Sequence, residues 1–144
     1  MATLQRAIEI AVEAHKGQPD KAGQPYILHP IRVMLSVNTE NERMAAVLHD
    51  VVEDTSWTLE ELRSEGFPTP VIEAVEALTK RNGETRVEAA RRARQNPIAR
   101  VVKQADVSDN MDLSRILELT DKDFDRLKQY KEVLEILSAT DSPR

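Results

Sequence analysis

The sequence predicts an all-α fold, with about seven or eight helices around one core. Apolar residues recur at helical spacing along most of the chain, and no run alternates between apolar and polar residues as a strand would. Two Thr-x-x-Glu segments, at 58–61 and 85–88, have the pattern of a helix-capping box. The length of 144 residues suits one domain with a substantial core, so we expect a single domain over residues 1–144.

Five helices are predicted in the first part of the chain. Gly17 ends the first of them, and Asn41 caps the third. Thr58 opens the fourth, and Thr69 followed by Pro70 opens the fifth with a cap and a first-turn proline. The predicted ranges are 3–15, 31–37, 41–52, 58–66 and 69–80.

Three more helices are predicted in the second part, over 85–94, over 98–111 and from 120 onward. Asn96 followed by Pro97 marks the start of the second of these, and Thr120 caps the last. The first carries arginines that we interpret as a solvated face: Arg86, Arg91, Arg92 and Arg94. The last carries an apolar stripe at helical spacing, formed by Phe124, Leu127, Tyr130, Leu134 and Leu137.

Composition and charge exclude several classes of function. The formal charge of −5 gives the chain no overall basic field, which argues against nucleic-acid binding as its main role. The chain has no cysteine, so a metal could be bound only by histidine and carboxylate side chains. No apolar run reaches membrane-spanning length, and the N-terminus lacks a signal-peptide pattern. We therefore expect a cytoplasmic protein with no membrane partner.

The stretch at 48–55, Leu-His-Asp-Val-Val-Glu-Asp-Thr, places four polar groups inside an apolar helical run. With about 100° of rotation per residue, a continuous helix puts the imidazole and the three carboxylates on one face and the apolar residues on the other. Three carboxylates within two turns repel each other unless a positive charge lies among them, and a divalent cation is the simplest candidate. The alternative is an acidic surface patch. The four residues are His49, Asp50, Glu53 and Asp54.

A second polar cluster lies at 103–110. Asp106 and Asn110 are four residues apart and share a helix face, with Lys103 one turn earlier. Because Asp106 follows two valines in a helix that should be packed, its carboxylate needs a partner. That partner is either a metal or, in a purely structural interpretation, Lys103 or an arginine.

Two of the three histidines are candidate ligands. His29 precedes Pro30, either as a simple helix-start residue or as a ligand on a rigid pre-proline backbone. We interpret His15, on the apolar face of the first helix, as a buried and hydrogen-bonded residue. With so few histidines we expect one metal rather than a binuclear centre.

Assembled, the candidate ligands form a set of two imidazoles and two carboxylates that suits Mn²⁺ or Fe²⁺, with Zn²⁺ also possible. Such a site leaves positions open for water and a substrate oxygen, and can generate a nucleophile near neutral pH. Glu53 and Asp54 lie beside it and can orient the water and move protons. The expected ligands are His29, His49, Asp50 and Asp106.

These residues resemble the HD-domain metal-dependent phosphohydrolases, and in particular the (p)ppGpp hydrolase domain of RelA/SpoT-type proteins and the small alarmone hydrolases. The resemblance covers residues 3–137 and rests on HKGQ at 15–18, PYILHP at 25–30, LHDVVEDT at 48–55, LTK at 78–80, and VKQAD at 102–106 with Asn110. It implies one Mn²⁺ on the four expected ligands, with Glu53 and Asp54 serving the attacking water. The implied reaction removes the 3′-pyrophosphate of guanosine tetra- and pentaphosphate. We find no synthetase domain, so we expect hydrolysis to be the sole activity.

The resemblance also implies contacts with a small phosphorylated nucleotide. Arg126 and Tyr130 match an Arg-x-x-x-Tyr pair that touches the nucleotide in the small alarmone hydrolases, whereas the structural alternative is a surface arginine and a core-edge tyrosine. Lys21, Lys103 and Arg126 would neutralise phosphate charge. The full set of expected substrate-binding residues is Lys16, Lys21, Tyr26, Lys103, Asn110, Arg126 and Tyr130.

The sequence departs from that family pattern at two places. The loop after the first motif usually reads Arg-Lys, with the arginine packed on the guanine base, and here it reads Asp20-Lys21. An acid cannot replace a stacking guanidinium and would repel phosphates. Further on, Ala-Asp-Arg/Lys-Leu-His/Tyr-Asn becomes Ala-Asp-Val-Ser-Asp-Asn at 105–110, which loses a basic residue and gains an acid. We therefore expect intact metal chemistry and an altered alarmone-reading shell.

These departures favour one rival within the same superfamily, a nucleotide phosphomonoesterase or NADPH phosphatase. A rival of another class is a non-catalytic helical module that binds a nucleotide or a protein partner. The presence of every expected ligand argues against that second rival, because a degenerate site usually loses at least one. The sequence leaves the oligomeric state open.

Overall fold

The all-α prediction is confirmed by a computed structural model, which describes residues 2–116 and 118–139. No β-strand occurs among these residues. Their α-helices, α1 to α9 in chain order, span Leu4–Ala14, Leu28–Leu35, Glu40–Leu48, Val51–Asp54, Leu59–Glu65, Thr69–Leu78, Arg86–Arg94, Pro97–Asn110 and Asp121–Ser138, with a 3₁₀ turn over Leu113–Arg115. None of the described helices is both long and apolar enough to cross a membrane.

Helix α3 is the centre of the packing. Its residues from Met44 to Leu48 are all buried, and it contacts α1, α2, α6 and α8. The predicted cap at Asn41 is wrong, because the helix begins two residues earlier with a capping box. Thr39 Oγ1 accepts the backbone N–H of Glu42, and the Glu42 carboxylate accepts the backbone N–H of Thr39, both at 3.1 Å. These bonds satisfy amide groups that an uncapped helix start would leave without partners.

The predicted continuous helix over 41–52 is interrupted. Helix α3 ends at Leu48, and the short α4 begins at Val51. Asp50, with φ −102° and ψ −3°, lies between them after His49. The angles of a single helical wheel therefore do not describe the polar face of this stretch, and its side chains are placed by the interruption.

Several predicted helix boundaries shift for identifiable reasons. Helix α2 begins at Leu28 rather than 31, since a proline is tolerated in the first turn, and this puts His29 inside the helix. Thr69 is the first residue of α6 rather than its cap, a position that Pro68 occupies. The predicted end at Gly66 is confirmed, because this residue has φ +93°, which glycine adopts without steric cost.

A second, smaller core lies between α7, α8 and α9. Ala90, Val107, Val133 and Leu137 are buried there, with Tyr130 and Leu134 at its edge. The predicted stripe on the last helix is correct over its C-terminal half. It is wrong for Phe124, which is 48% exposed.

The arginines of α7 are not simply a solvated face. The Arg92 side chain is only 19% exposed, and its Nε and Nη2 atoms each donate to the Glu84 carboxylate at 2.9 Å. Its guanidinium also donates to the carbonyl oxygens of Ala77 at 3.3 Å and Thr79 at 2.7 Å. Arg92 therefore closes the end of α6 and holds the loop over 79–85. The predicted solvent exposure is found for Arg91, which is exposed.

We expect Glu84→Gln to lower the free energy of unfolding by about 2 kcal/mol at pH 7, because it removes a charge-assisted pair. Arg92 lowers the pKa of Glu84 from 4.5 to about 2. The pair thus stabilises the folded chain above pH 4.5, and this contribution is lost as the pH falls toward 2. Urea unfolding at several pH values checks this. Glu73→Gln, at an exposed carboxylate on α6, is the control, and an unfolding difference that does not change with pH would contradict the assignment.

Candidate metal centre and nucleotide pocket

Four side chains from three parts of the chain meet at one point. His29 comes from α2, Asp106 from α8, and His49 and Asp50 from the junction of α3 and α4. We call these four residues the His/Asp cluster. His29 Nε2 lies 2.8 Å from Asp106 Oδ1, and His49 Nε2 lies 3.4 Å from the same oxygen. Asp50 Oδ2 is 3.1 Å from His49 Nε2 and accepts a hydrogen bond from the Tyr26 hydroxyl.

The hydrogen bonding of His49 defines which of its ring nitrogens faces the cluster. Nδ1 lies 2.5 Å from the carbonyl oxygen of Ala46 and must donate to it, since a carbonyl can only accept. Nε2 is buried, since the residue is only 2% exposed, and it faces the carboxylates of Asp50 and Asp106. A ring nitrogen buried against two carboxylates must carry a proton or face a cation, because its lone pair would otherwise be repelled by both.

The electrostatics of the cluster point the same way. Burial alone would lower the pKa of His49, but the carboxylates of Asp50 and Asp106 raise it well above its ordinary value. Burial would likewise raise the pKa of Asp106, but Lys103 and then His49 hold it well below its usual range. The carboxylates thus stay ionised and favour a cation at the centre. One ligand atom each from His29, His49 and Asp106 lies within 4.8 Å of the others, so these residues could hold a metal ion.

Asp106 has the structural partner that the sequence offered, Lys103, and it also faces the imidazoles of the cluster. Besides the imidazoles, its Oδ2 accepts from Lys103 Nζ at 2.9 Å, and its Oδ1 accepts from Asn110 Nδ2 at 3.2 Å. The proximity of this carboxylate raises the pKa of Lys103, so the ammonium remains charged. Lys103 is therefore tied to the cluster and also lines the adjoining pocket.

Asp109 is a component of the site that the sequence reasoning missed. Its Oδ2 lies 2.7 Å from His29 Nδ1, and its two oxygens accept from Arg32 Nε at 2.8 Å and Nη2 at 3.0 Å. Burial would raise the pKa of Asp109, but the hydrogen bonds from His29 and Arg32 hold it far below its usual value. The available signal was its position three residues after Asp106, which puts both carboxylates on one side of α8.

Two pockets adjoin the cluster and share three of the predicted substrate residues, namely Tyr26, Asn110 and Tyr130. The first pocket also contains Asp50, Glu53, Asp54, Lys80, Arg86, Lys103 and Asp106. The second also contains Asp20, Lys21, His29, Arg32, Asp112, Arg115, Asp123 and Arg126. Lys16 is exposed and lines neither pocket, so the structure does not bring this predicted contact to the site.

Glu53 and Asp54 lie at the edge of the first pocket. Glu53 Oε1 accepts the backbone N–H of Lys80 at 2.7 Å, which ties α4 to the loop after α6. Partial burial, and then repulsion from Asp50 and Glu53, raises the pKa of Asp54 to about 6. The two acids thus lie beside the cluster and take no part in the short contacts between its histidines and aspartates.

Two cations of the first pocket were not among the predicted substrate residues. Arg86 is exposed, as predicted, and its guanidinium carbon also lies 5.1 Å from the centre of the Tyr130 ring, a cation–π contact. Lys80 lies two residues after the end of α6 and lines the same pocket. Lys80 belongs to the LTK motif and Arg86 to the capping box that Thr85 opens, so both lay in recognised patterns. Neither pattern indicates that the side chain faces a pocket.

Asp20 has a role in addition to the one its charge suggests. Its Oδ1 accepts the backbone N–H groups of Ala22 at 2.8 Å and Gln24 at 2.9 Å, so the carboxylate folds its own loop. Asp20 thus has a structural role that the sequence did not show, and it also lines the second pocket, where we still expect it to repel phosphates. The loop still carries no arginine, and Lys21 supplies its positive charge.

Comparison with known proteins identifies the class of protein. A family model described as HD domain matches residues 7–130, so the chain belongs to the HD domain family. Among individual proteins, the guanosine-3′,5′-bis(diphosphate) 3′-pyrophosphohydrolase of Aquifex aeolicus is 44% identical over 81 residues, which cover 54% of this chain and 12% of that protein. The GTP pyrophosphokinase of Streptomyces coelicolor is 34% identical over 146 residues, covering 92% and 17%. The chain therefore spans less than a fifth of these curated relatives.

The solved structures include one of comparable size. It is described as a metazoan ortholog of SpoT that hydrolyses ppGpp and has a role in starvation responses. It aligns with a TM-score of 0.78 and 27% identity over 97% of this chain and 88% of its own. The helical architecture described above is thus shared with that protein.

We expect divalent cations to stabilise the chain through the His/Asp cluster. At about 100 times its dissociation constant, Mn²⁺ should add about 2.7 kcal/mol to the free energy of unfolding. His49→Gln should abolish this gain because the variant lacks the Nε2 atom that would bind the metal. His15→Gln is the matched control, since His15 Nδ1 pairs with Gln18 at 3.0 Å and makes no contact with the cluster carboxylates. Thermal unfolding with and without Mn²⁺ checks this, and equal gains in both variants would place the metal elsewhere.

Proposed function

We propose that this chain is a metal-dependent phosphohydrolase whose substrate is (p)ppGpp and whose metal is Mn²⁺. The observation that carries the proposal is the His/Asp cluster, which opens into a pocket with three cations on its wall, Lys80, Arg86 and Lys103. This arrangement combines a divalent-cation site with a receptor for phosphate groups. The relatives that hydrolyse ppGpp support the choice of substrate.

The proposed metal ligands are His29, His49, Asp50 and Asp106. Their two imidazole nitrogens and two carboxylates suit Mn²⁺ or Fe²⁺, and Zn²⁺ is compatible with them. When bound, the metal supplies Lewis-acid chemistry, polarising a phosphate oxygen and lowering the pKa of the attacking water. The position of buried His49 Nε2, 3.1 Å from Asp50 Oδ2 and 3.4 Å from Asp106 Oδ1, supports this assignment.

Glu53 and Asp54 are proposed to handle the attacking water. The backbone N–H of Lys80 holds Glu53 at the pocket edge, so its other carboxylate oxygen can accept a hydrogen bond from the water. Asp54 lies next to it, and a carboxylate whose pKa is near 6 exchanges protons readily at neutral pH. We assign Glu53 to orienting the water and Asp54 to proton transfer.

The remaining pocket residues are proposed to bind the nucleotide. Lys80, Arg86 and Lys103 neutralise the 3′-pyrophosphate in the first pocket, where its negative charge grows as the bond breaks. The nucleoside and its 5′-phosphates then occupy the second pocket, which contains Lys21 and Arg126. The sugar would lie where the two pockets meet. We propose that it is contacted by Tyr26, Asn110 and Tyr130, because these residues line both pockets.

Asp50→Ala is expected to lose metal and activity together, because it removes a cluster carboxylate. Glu53→Gln should retain metal and lose turnover by about 10²–10⁴-fold, since the amide keeps the bond from Lys80 but is a poor acceptor for the water. Metal content of the purified variants and kcat with ppGpp check both. Full turnover in Glu53→Gln would rule out its role.

A substrate panel tests the assignment to (p)ppGpp. Pyrophosphate should be released from ppGpp in the presence of Mn²⁺, with little product from GTP, NADPH or nucleoside monophosphates. Orthophosphate from NADPH or a monophosphate, with ppGpp intact, would instead favour the phosphatase rival that the altered loop suggests. A chain that binds nucleotide and hydrolyses none of them would favour the non-catalytic rival.

A further inference from the structure

Asp106 and Asp109 each contact one nitrogen of the His29 imidazole. Both lie on α8, three residues apart, and the ring of His29 lies between them. Asp106 Oδ1 is 2.8 Å from Nε2, and Asp109 Oδ2 is 2.7 Å from Nδ1. When Nε2 presents its lone pair to a metal, the hydrogen bond from Nδ1–H to Asp109 is the one that stops the ring from rotating away from the cluster. Its orientation is therefore fixed by α8 rather than by α2, on which it lies.

Asp109 is itself held by a residue from the helix that carries His29. Arg32 follows His29 by three residues on α2 and binds Asp109 through two parallel hydrogen bonds, at 2.8 and 3.0 Å. Such a bidentate pair fixes the plane of the carboxylate as well as its charge. Arg115 adds a longer contact, 3.7 Å from Asp109 Oδ2, and donates to its backbone carbonyl at 3.2 Å. The Asp109 side chain is only 14% exposed, so water competes weakly for these bonds.

We propose that Asp109 and Arg32 are positioning residues for the metal, acting through His29. Asp109 keeps the proton of His29 on Nδ1 and aims the Nε2 lone pair at the centre of the cluster, and Arg32 holds Asp109 in the plane that this requires. The inference rests on the proposed role of His29 as a metal ligand. It gives a function to the acid at 109, where the resembling family carries histidine or tyrosine: this acid is part of the metal centre rather than a lost substrate contact.

The direction of the effect follows from the chemistry of histidine ligands. A metal-bound histidine commonly donates its second N–H to a carboxylate, which fixes the tautomer and makes the ligating nitrogen more basic. Loss of such a carboxylate typically weakens metal binding by about 10–100-fold. An ordinary salt bridge between α2 and α8 would instead affect the stability of the fold and leave metal affinity unchanged.

The test compares Asp109→Ala and Arg32→Ala with Asp112→Ala. Asp112 is the matched control because it also pairs with Arg115, at 3.1 Å, but makes no contact with His29. Zn²⁺ serves as the diamagnetic probe, and its affinity is measured by competition with a chelator. We expect a loss of about 10–100-fold in Asp109→Ala, a smaller loss in the same direction in Arg32→Ala, and an affinity close to wild type in the control.

The second readout is the Nδ1–H resonance of His29 in ¹⁵N-histidine-labelled protein loaded with Zn²⁺. In the wild type this proton should exchange slowly and correlate with a nitrogen that binds no metal. In Asp109→Ala it should broaden or disappear, while that of His49, which donates to a backbone carbonyl, should persist. If Asp109→Ala fails to fold, Asp109→Asn keeps the shape of the side chain, loses its charge, and is expected to weaken binding about 10-fold.

Wild-type Zn²⁺ affinity in folded Asp109→Ala or Asp109→Asn would overturn the inference, and so would an equal loss in Asp112→Ala. An unaltered His29 Nδ1–H resonance in folded Asp109→Ala would overturn it as well. Failure of the proposed function appears differently, as a wild-type chain that binds metal and does not hydrolyse ppGpp. A wild-type chain that binds neither Zn²⁺ nor Mn²⁺ would overturn both.

Discussion

The buried carboxylate of Asp106 is the constraint on which the rest of the structure depends. It is 5% exposed and contacts His29, His49, Lys103 and Asn110. An ionised carboxylate taken out of water costs several kcal/mol unless its partners are well placed. Helices α2, α3 and α8 must therefore converge with the right side chains at one point. The packing of these helices therefore determines both the core and the geometry of the site.

Helix α3 makes that convergence possible. Its buried alanines, Ala45 and Ala46, present little side-chain volume, which suits close packing against the neighbouring helices. The helix then stops where the polar residues begin. On a continuous helix His49 and Asp50 would point about 100° apart. The interruption brings His49 Nε2 within 3.1 Å of Asp50 Oδ2, and the bond from Nδ1 to Ala46 satisfies the rest of the ring.

A second set of charged contacts connects stability with the pocket. Arg92 and Glu84 hold the loop over 79–85, and from that loop the backbone N–H of Lys80 reaches Glu53. The same loop leads into α7, whose first residue, Arg86, lies over Tyr130 on α9. The smaller core between α7, α8 and α9 thus carries one wall of the first pocket. Loosening the Arg92–Glu84 pair would therefore disturb the pocket as well as the fold.

Some predictions succeeded because they depend on neighbouring residues alone. Both Thr-x-x-Glu capping boxes form at 58–61 and 85–88, since each is a local exchange of hydrogen bonds within one turn. The stretch at 48–55 also predicted the character of the site, because an imidazole and three carboxylates in so short a segment need a compensating charge wherever the segment lies. The roles of the individual acids remain proposals.

Other features depend on residues far apart in the sequence. His29 and Asp109 are separated by 80 positions and meet only because α2 packs on α8. Arg92 looked like one exposed arginine among several, and only the end of α6 gives it carbonyl partners. Asp20 looked like a charge directed at substrate, and only the fold of its loop shows that it also accepts backbone N–H groups. In each case the residue type allowed several roles, and the available partners selected among them.

The sequence by itself thus determined the helical class of the fold, most of the helix starts and the donor chemistry of the site, because spacing, capping and charge act over a few residues. Only the tertiary structure decided which donors meet, how each imidazole is oriented and which cations face the pocket. Those choices follow from the packing of helices that are distant in the chain, and no local pattern encodes the distances between them.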